Sequence, residues 1–204
     1  MSFTRNAFAL SAALLIAACG GGESDGREAQ TGEIDTEALL EQARACTAEA
    51  AEPFAFGVDG ITALAEPALF NAELSAAFIE AARERECVFT LASGLSLRID
   101  RAVTDETAAS PESGDLVTVH YEGKLVSGEV FDSSYARDEP ATFPSDRLIA
   151  GWVEALPLMR VGEAWTLYIP SDLAYGERGT PGGPIGPNQA LTFRLELLAL
   201  PDAE

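Results

Sequence analysis

Near the end of the chain, Leu191, Phe193, Leu195 and Leu197 alternate with Thr192, Arg194 and Glu196. A period of two sends four large apolar side chains to one face and polar ones to the other. Only a strand with one buried and one wet face suits that pattern. Such a strand needs partners for its backbone and a cover for its apolar face. The same period recurs in Leu95, Leu97 and Ile99, in Val117, Val119 and Tyr121, and in Trp165, Leu167 and Ile169. Ser127-Gly128 marks a turn before Val130-Phe131. The polar stretch from Thr104 to Gly114 and the Gly- and Pro-rich stretch from Gly176 to Pro187 read as loops. Between the strands the period switches once. Leu148, Ile149, Trp152 and Leu156 fit a short helix, with Ser145 placed to cap it and Pro157 at its end. Residues 91–204 therefore predict an α+β domain, an antiparallel sheet wrapped around one short helix.

The first half follows another rule. Residues 34–90 are rich in Ala and Glu, and Leu39, Leu40, Ala43 and Cys46 recur at helical spacing behind Asp35 or Thr36 as a cap. Pro53 and Gly57 break that helix, and Gly60 to Pro67 connects it to the next. A second helix is expected from about Asn71, with Leu74, Phe78, Ala81 and Ala82 on one face. This small helical region carries no catalytic constellation. It suits a spacer, a client-binding surface or an arm that forms a homodimer.

Residues 1–18 are not expected to join the fold. One base, Arg5, precedes an apolar run from Ala7 to Ala18, too short to span a bilayer and suited to the core of a signal peptide. The run ends in Leu15-Ile16-Ala17-Ala18-Cys19, and small residues before a cysteine resemble a bacterial lipoprotein signal. Cys19 is then the lipidated residue and residues 19–33, opening on Gly20-Gly21-Gly22, a flexible tether, with an ordinary secretory signal and a chance cysteine as the alternative. The implied place is the bacterial cell envelope, facing the periplasm. Gly20 after the lipid site is compatible with the outer membrane. Cys46 and Cys87 remain, an even pair that suggests a disulfide in an oxidising compartment, with two buried thiols as the alternative.

Charge narrows the function. The formal net charge is −20, from 33 acids against 13 bases. That balance excludes a nucleic-acid binder, which needs Lys and Arg to neutralise phosphates. His120 is the single histidine, which removes metal clusters and Ser-His-Asp arrangements. Alternation sets it on the face opposite Tyr121, as a surface strand residue. The glycines near Gly182 lack the Lys-Ser/Thr and helix of a phosphate loop. No cofactor and no metal are implied.

Several blocks carry a family resemblance. Val117-Thr118-Val119-His120-Tyr121-Glu122-Gly123, Gly128-Glu129-Val130-Phe131-Asp132-Ser133-Ser134 and Leu148-Ile149-Ala150-Gly151-Trp152 each resemble segments of FKBP-type peptidyl-prolyl cis–trans isomerases. Ala174-Tyr175-Gly176 and Leu191 to Leu198 do so too, all in family order over about residues 93–200. Gly182-Gly183-Pro184-Ile185-Gly186-Pro187-Asn188 resembles bacterial members of the macrophage infectivity potentiator type, which also tend to carry a helical N-terminal region. The resemblance implies rotation of X–Pro bonds in polypeptide clients and folding of envelope proteins. The alternative is a non-catalytic module of the same shape that only holds clients.

The same resemblance implies the site. Tyr121, Asp132 and Tyr175 take the catalytic roles. Phe131, Arg137, Phe143, Leu148, Ile149, Trp152, Ile185 and Phe193 bind substrate. Trp152 forms the floor beneath the proline ring. Tyr175 holds the substrate carbonyl, and Tyr121 and Arg137 orient Asp132 near the twisting one. Two positions depart from common single-domain members. Ala141 stands where a second aromatic wall residue is usual, and Thr180-Pro181 where a histidine is frequent. Both bear on the depth of the pocket.

Overall fold

The computed structural model describes residues 34–46 and 67–201. Cys19, the tether, the Pro53–Gly57 break and the 60–66 connection lie outside the described residues. Helix α1 runs Thr36–Ala45 and α2 runs Pro67–Arg83. Strands follow at Phe89–Thr90 (β1), Ser96–Arg101 (β2), Leu116–Leu125 (β3), Val130–Ser133 (β4) and Ala141–Pro144 (β5). Helix α3, Ala150–Ala155, precedes β6, Ala164–Ile169, and β7, Leu191–Ala199.

All seven strands join one antiparallel sheet in the order β1-β2-β6-β7-β3-β4. The early part of β3 pairs with β5 and its later part with β4. The long strand β3 is thus bordered by β7 along one edge and by two short strands along the other. Its burial alternates along its whole length, with Val117, Val119, Tyr121 and Leu125 buried. Strand β7 buries Leu191, Phe193, Leu195 and Leu197 in the same way. These inward faces close over α3, whose Trp152, Ala155 and the following Leu156 belong to the same core.

Local chemistry explains the starts of the first two helices. Asp35 caps α1, its carboxylate accepting from the N–H groups of Glu37 and Ala38 at 3.1 and 3.2 Å. Helix α2 begins at Pro67, four residues before Asn71, because proline presets the first helical φ and lacks the N–H that would go unpaired there. Asn71 is instead a tie, donating from Nδ2 to the Pro187 carbonyl at 2.9 Å. Ala81 is only partly buried, while Ser75 and Ile79 join Leu74, Phe78 and Ala82 on the buried face. Ser145 does not cap α3, which starts five residues later with Ile149 in extended backbone and no side-chain cap. Its hydroxyl accepts from Gly114 N–H and donates to the Glu112 carbonyl, both at 2.9 Å, and so fastens two loops. Strands β1 and β5 are too short to display a period.

The residues from Ile34 onward form one compact unit. The helical residues share it for identifiable reasons. Leu40 and Ala43 of α1 enter the core cluster of the sheet. Helix α2 buries Leu74, Phe78, Ile79 and Ala82 against Tyr168 of β6 and Ala190. Ser75 Oγ donates to the Asn188 carbonyl and accepts from Ala190 N–H, at 2.8 and 2.7 Å. Cys46 at the end of α1 is bonded to Cys87 beyond α2, across a sequence separation of 41.

The tightest link is ionic. Glu163 is 0% exposed. Its carboxylate accepts from Arg44 Nε at 2.8 Å, from Arg160 N–H at 3.0 Å and from Trp165 Nε1 at 3.0 Å. Arg44 Nη2 also donates to the Leu158 carbonyl at 2.9 Å. A buried carboxylate is tolerable only when paired and hydrogen-bonded in this way. Removing the cation leaves the anion stranded. We expect Arg44→Ala to cost about 3 kcal/mol in urea denaturation. A loss below about 1 kcal/mol would show that the pair contributes no more than a surface ion pair. By the same reasoning, a fragment of residues 91–204 should denature at lower urea than the full chain. Reducing the disulfide should remove up to about 4 kcal/mol of stability in the chain-entropy account, read from the same titration with and without a thiol.

Candidate active site

The sheet, α3 and the loop after β6 enclose a cavity of about 560 Å³. Each element contributes by register. Tyr121 points inward from β3, opposite Leu195, and Gly123 lies two residues on, between Phe193 of β7 and Asp132 of β4. A β-carbon at Gly123 would stand 2.5 Å from the Phe131 ring and 2.7 Å from the Phe193 ring. The missing side chain there is what lets both rings reach the cavity. Phe143 comes from β5, Leu148 and Ile149 from the segment entering α3, and Tyr175 from the turn after β6.

Trp152 forms the floor. It is 4% exposed and stands edge-on to Tyr121 at 5.4 Å, to Phe193 at 5.2 Å and to Phe143 at 6.4 Å between ring centroids. These perpendicular contacts match positive ring edges to negative ring faces and fix the indole without filling the cavity. Its Nε1–H is buried with no hydrogen-bond partner among the described residues. Buried donors are ordinarily satisfied, which sets this one apart.

The polar groups form a closed triangle on the rim. Tyr121 OH donates to Asp132 Oδ2 at 2.6 Å. Arg137 Nη1 donates to Asp132 Oδ1 at 2.6 Å and Nη2 to Tyr121 OH at 3.0 Å. A 3-10 turn over Tyr135–Arg137 delivers the guanidinium, and Asp138 ends it in left-handed backbone at φ 52°. Buried Ser134 fixes the neighbouring strand. Its Oγ accepts from Tyr121 N–H at 2.7 Å, donates to the Tyr121 carbonyl at 3.2 Å and lies 2.9 Å from His120 Nδ1. His120 faces away from the cavity and stacks on Tyr135 at 4.7 Å.

This triangle sets protonation. Burial pushes the Asp132 carboxyl up, but the hydrogen bonds from Tyr121 and Arg137, with the guanidinium's charge, outweigh it and hold the group below the usual carboxylate value. Burial and the bond to Asp132 push the Tyr121 phenol up. Burial and the nearby Asp132 charge raise Tyr175 as well. At neutral pH this triangle and Tyr175 therefore hold one carboxylate, one guanidinium and two neutral phenols.

The structure gathers Tyr121, Phe131, Asp132, Phe143, Leu148, Ile149, Trp152, Tyr175 and Phe193 around one cavity. Arg137 stands just behind Asp132. Ile185 does not line it: at 3% exposure it is packed in the core, and its carbonyl accepts from Thr180 N–H at 2.8 Å to hold the late loop. Arg147, Ala150 and Ala174 line the cavity and had no periodic signal of their own. Tyr175 is 38% exposed, and its hydroxyl makes no hydrogen bond with the described residues. Among the described residues no three His, Cys, Asp or Glu side chains converge to hold a metal ion.

Comparison with known proteins agrees with this geometry. Residues 107–198 match the profile of the FKBP-type peptidyl-prolyl cis-trans isomerase domain. The chain is 49% identical over 130 residues to the peptidyl-prolyl cis-trans isomerase Mip of Coxiella burnetii, covering 64% of this chain and 55% of that one. It is 43% identical over 127 residues to the outer membrane protein MIP of Legionella longbeachae, covering 62% and 53%. It thus spans about half the length of these curated relatives. Among solved structures, FkpA of Escherichia coli superposes with a TM-score of 0.60 at 37% identity, over 65% of this chain and 60% of that one. A peptidyl-prolyl cis-trans isomerase of Pseudomonas syringae superposes at 0.58 and 34% identity, over 67% of this chain and 98% of that one. With the antiparallel sheet, the short helix and the indole-floored cavity all in place, the chain belongs to the FKBP-type peptidyl-prolyl cis–trans isomerase family.

Proposed function

We propose that the chain accelerates cis–trans rotation of X–Pro bonds in clients of the bacterial envelope. One observation carries this reading: an apolar cavity floored by Trp152, with a compensated polar triangle on its rim. Rotating a peptide bond crosses about 18–20 kcal/mol, because resonance is lost midway. The planar amide is more polar than the twisted one, so a water-poor aromatic cavity favours the twisted state. Only interactions that strengthen in the transition state speed the step. A thousandfold acceleration asks for about 4 kcal/mol, which needs no nucleophile and no metal.

The roles follow from position. The proline ring rests on Trp152 between Tyr121 and Phe193. Tyr175 OH donates to a substrate carbonyl. Asp132, kept ionised and fixed by Tyr121 and Arg137, faces the carbonyl of the rotating bond, whose carbon becomes more electrophilic as conjugation is lost. We further propose that residues 1–18 are a signal peptide, that Cys19 carries lipid, and that residues 19–33 tether the domain to a membrane. The apolar run before Cys19 and the similarity to an outer membrane protein of Legionella longbeachae support this placement. The N-terminal region, residues 34–90, is proposed to pair two copies or to hold clients near the cavity, raising the local concentration without altering the rotation itself.

Three outcomes are expected. The full chain should speed isomerisation of a short Leu-Pro peptide in the presence of a chelator; rates equal to the uncatalysed reaction would leave only a holding module. Asp132→Ala should lower kcat/KM about tenfold, or ~1.4 kcal/mol of transition-state stabilisation, with the circular dichroism spectrum retained. The pH profile should be flat from about pH 5 to about pH 9, since Asp132 titrates below the ordinary carboxylate value and both tyrosines above theirs. Activity should fall only at lower pH, as Asp132 takes a proton and releases Arg137. The stability from that pair is present above the unfolded carboxylate's pKa and is lost in the same acid range. A midpoint between about pH 6 and 8 would place the essential group elsewhere.

A further inference from the structure

One charged group at the cavity plays no part in the rotation just described. Arg147 lines the cavity between β5 and α3 and is exposed. Its backbone N–H donates to the Pro144 carbonyl at 3.2 Å, but its guanidinium makes no hydrogen bond or ion pair with the described residues. Its neighbour Asp146 is turned towards Gly114. The other rim cation, Arg137, is spent on Asp132 and Tyr121. Among the described residues Asp132 is the only carboxylate lining the cavity, so the rim they form carries one uncompensated positive charge on a chain of net charge −20.

That contrast is informative. In a protein with 33 acids and 13 bases, an arginine left without an acid at the mouth of the site is available to a ligand. Guanidinium is a planar fork that matches a carboxylate with two parallel hydrogen bonds. The protein's general field repels acids at long range, but beyond about 10 Å it is screened at ordinary salt. Inside the cavity the local charge decides. The walls that meet the X–Pro pair are apolar, so a charged partner must flank that pair.

We propose that Arg147 is a specificity-determining residue that selects client segments bearing Asp or Glu beside the X–Pro pair, its guanidinium holding the carboxylate while the proline ring rests on Trp152. The inference rests on the isomerase reading of the same cavity. It concerns which prolines are served, not how the bond turns.

The test uses the full chain and a peptide set with Leu-Pro held constant. Glu, Ala or Lys is placed in turn at the position before Leu and at each of the two positions after Pro. Isomerisation is followed by NMR exchange, and affinity by NMR titration. At one of these positions the Glu peptide should exceed the Lys peptide in kcat/KM by about threefold or more at low salt, the range of an exposed ion pair. The ratio should shrink towards one at about 0.5 M salt. Arg147→Ala should abolish it, Arg147→Glu should invert it and Arg147→Lys should retain part. Arg101→Ala makes the same change in net charge away from the cavity and should leave the ratio as in the parent. A parent ratio of one at every position, or a ratio that survives Arg147→Ala, overturns the inference. The two readings separate cleanly. Tighter Glu binding through Arg147 without any isomerisation defeats the isomerase reading and sustains this one. Isomerisation with a kcat/KM ratio of one at every position does the reverse.

Discussion

A six-residue helix cannot hold its shape alone in water, because nucleation costs more than so few hydrogen bonds return. Helix α3 must therefore be held by what surrounds it, and the cavity depends on that grip. The inward faces of β3, β6 and β7 close over it. Gly151 permits the contact: a β-carbon there would stand 2.8 Å from Ile169. With the backbone that close, Trp152 is directed between Tyr121 and Phe193 and becomes a floor. The sheet thus positions the indole, and the indole in turn braces the rings around it.

The polar rim obeys a different constraint. An apolar cavity tolerates charge only at its edge and only when compensated. Asp132 meets both conditions. It stands on a short edge strand, half exposed, and is bonded to Tyr121 and Arg137. The triangle is rigid because each member touches the other two. A fixed carboxylate needs no reorganisation as the substrate's charge distribution changes, which is where such groups contribute most to a transition state. Arg147 lacks that compensation and faces the cavity mouth, where charge can choose a client instead of turning a bond.

The helices belong to the same physics. Alpha helices of ten and seventeen residues with one apolar face each need a surface to cover them. The first finds it in the core cluster of the sheet and the second against Tyr168 and Ala190, with ties through Arg44 and Glu163, Ser75 and Ala190, and the Cys46–Cys87 bond. The helices can therefore matter to the stability of the part that holds the cavity.

Much of the fold was legible in the residues. Period-two alternation identified β2, β3, β6 and β7, since burial on one face leaves a direct mark on sequence. The period switch near Leu148 located the short helix, though its start and cap were misplaced because Ser145 has a tertiary partner. The aromatic positions of the cavity were legible only through family resemblance: by themselves they read as core, which they also are. Strands β1 and β5, the burial of Ile185 and the rim position of Arg147 left no periodic trace. Nor could the sequence say that Glu163 sits unexposed beneath Arg44, 119 residues away. The sequence by itself determined which residues alternate, where turns fall and which side chains are apolar, because those are properties of neighbours along the chain. Only the tertiary structure decided which apolar faces meet, which acids find a base and which base is left for a ligand, because those depend on residues far apart in the chain being brought within a few ångströms.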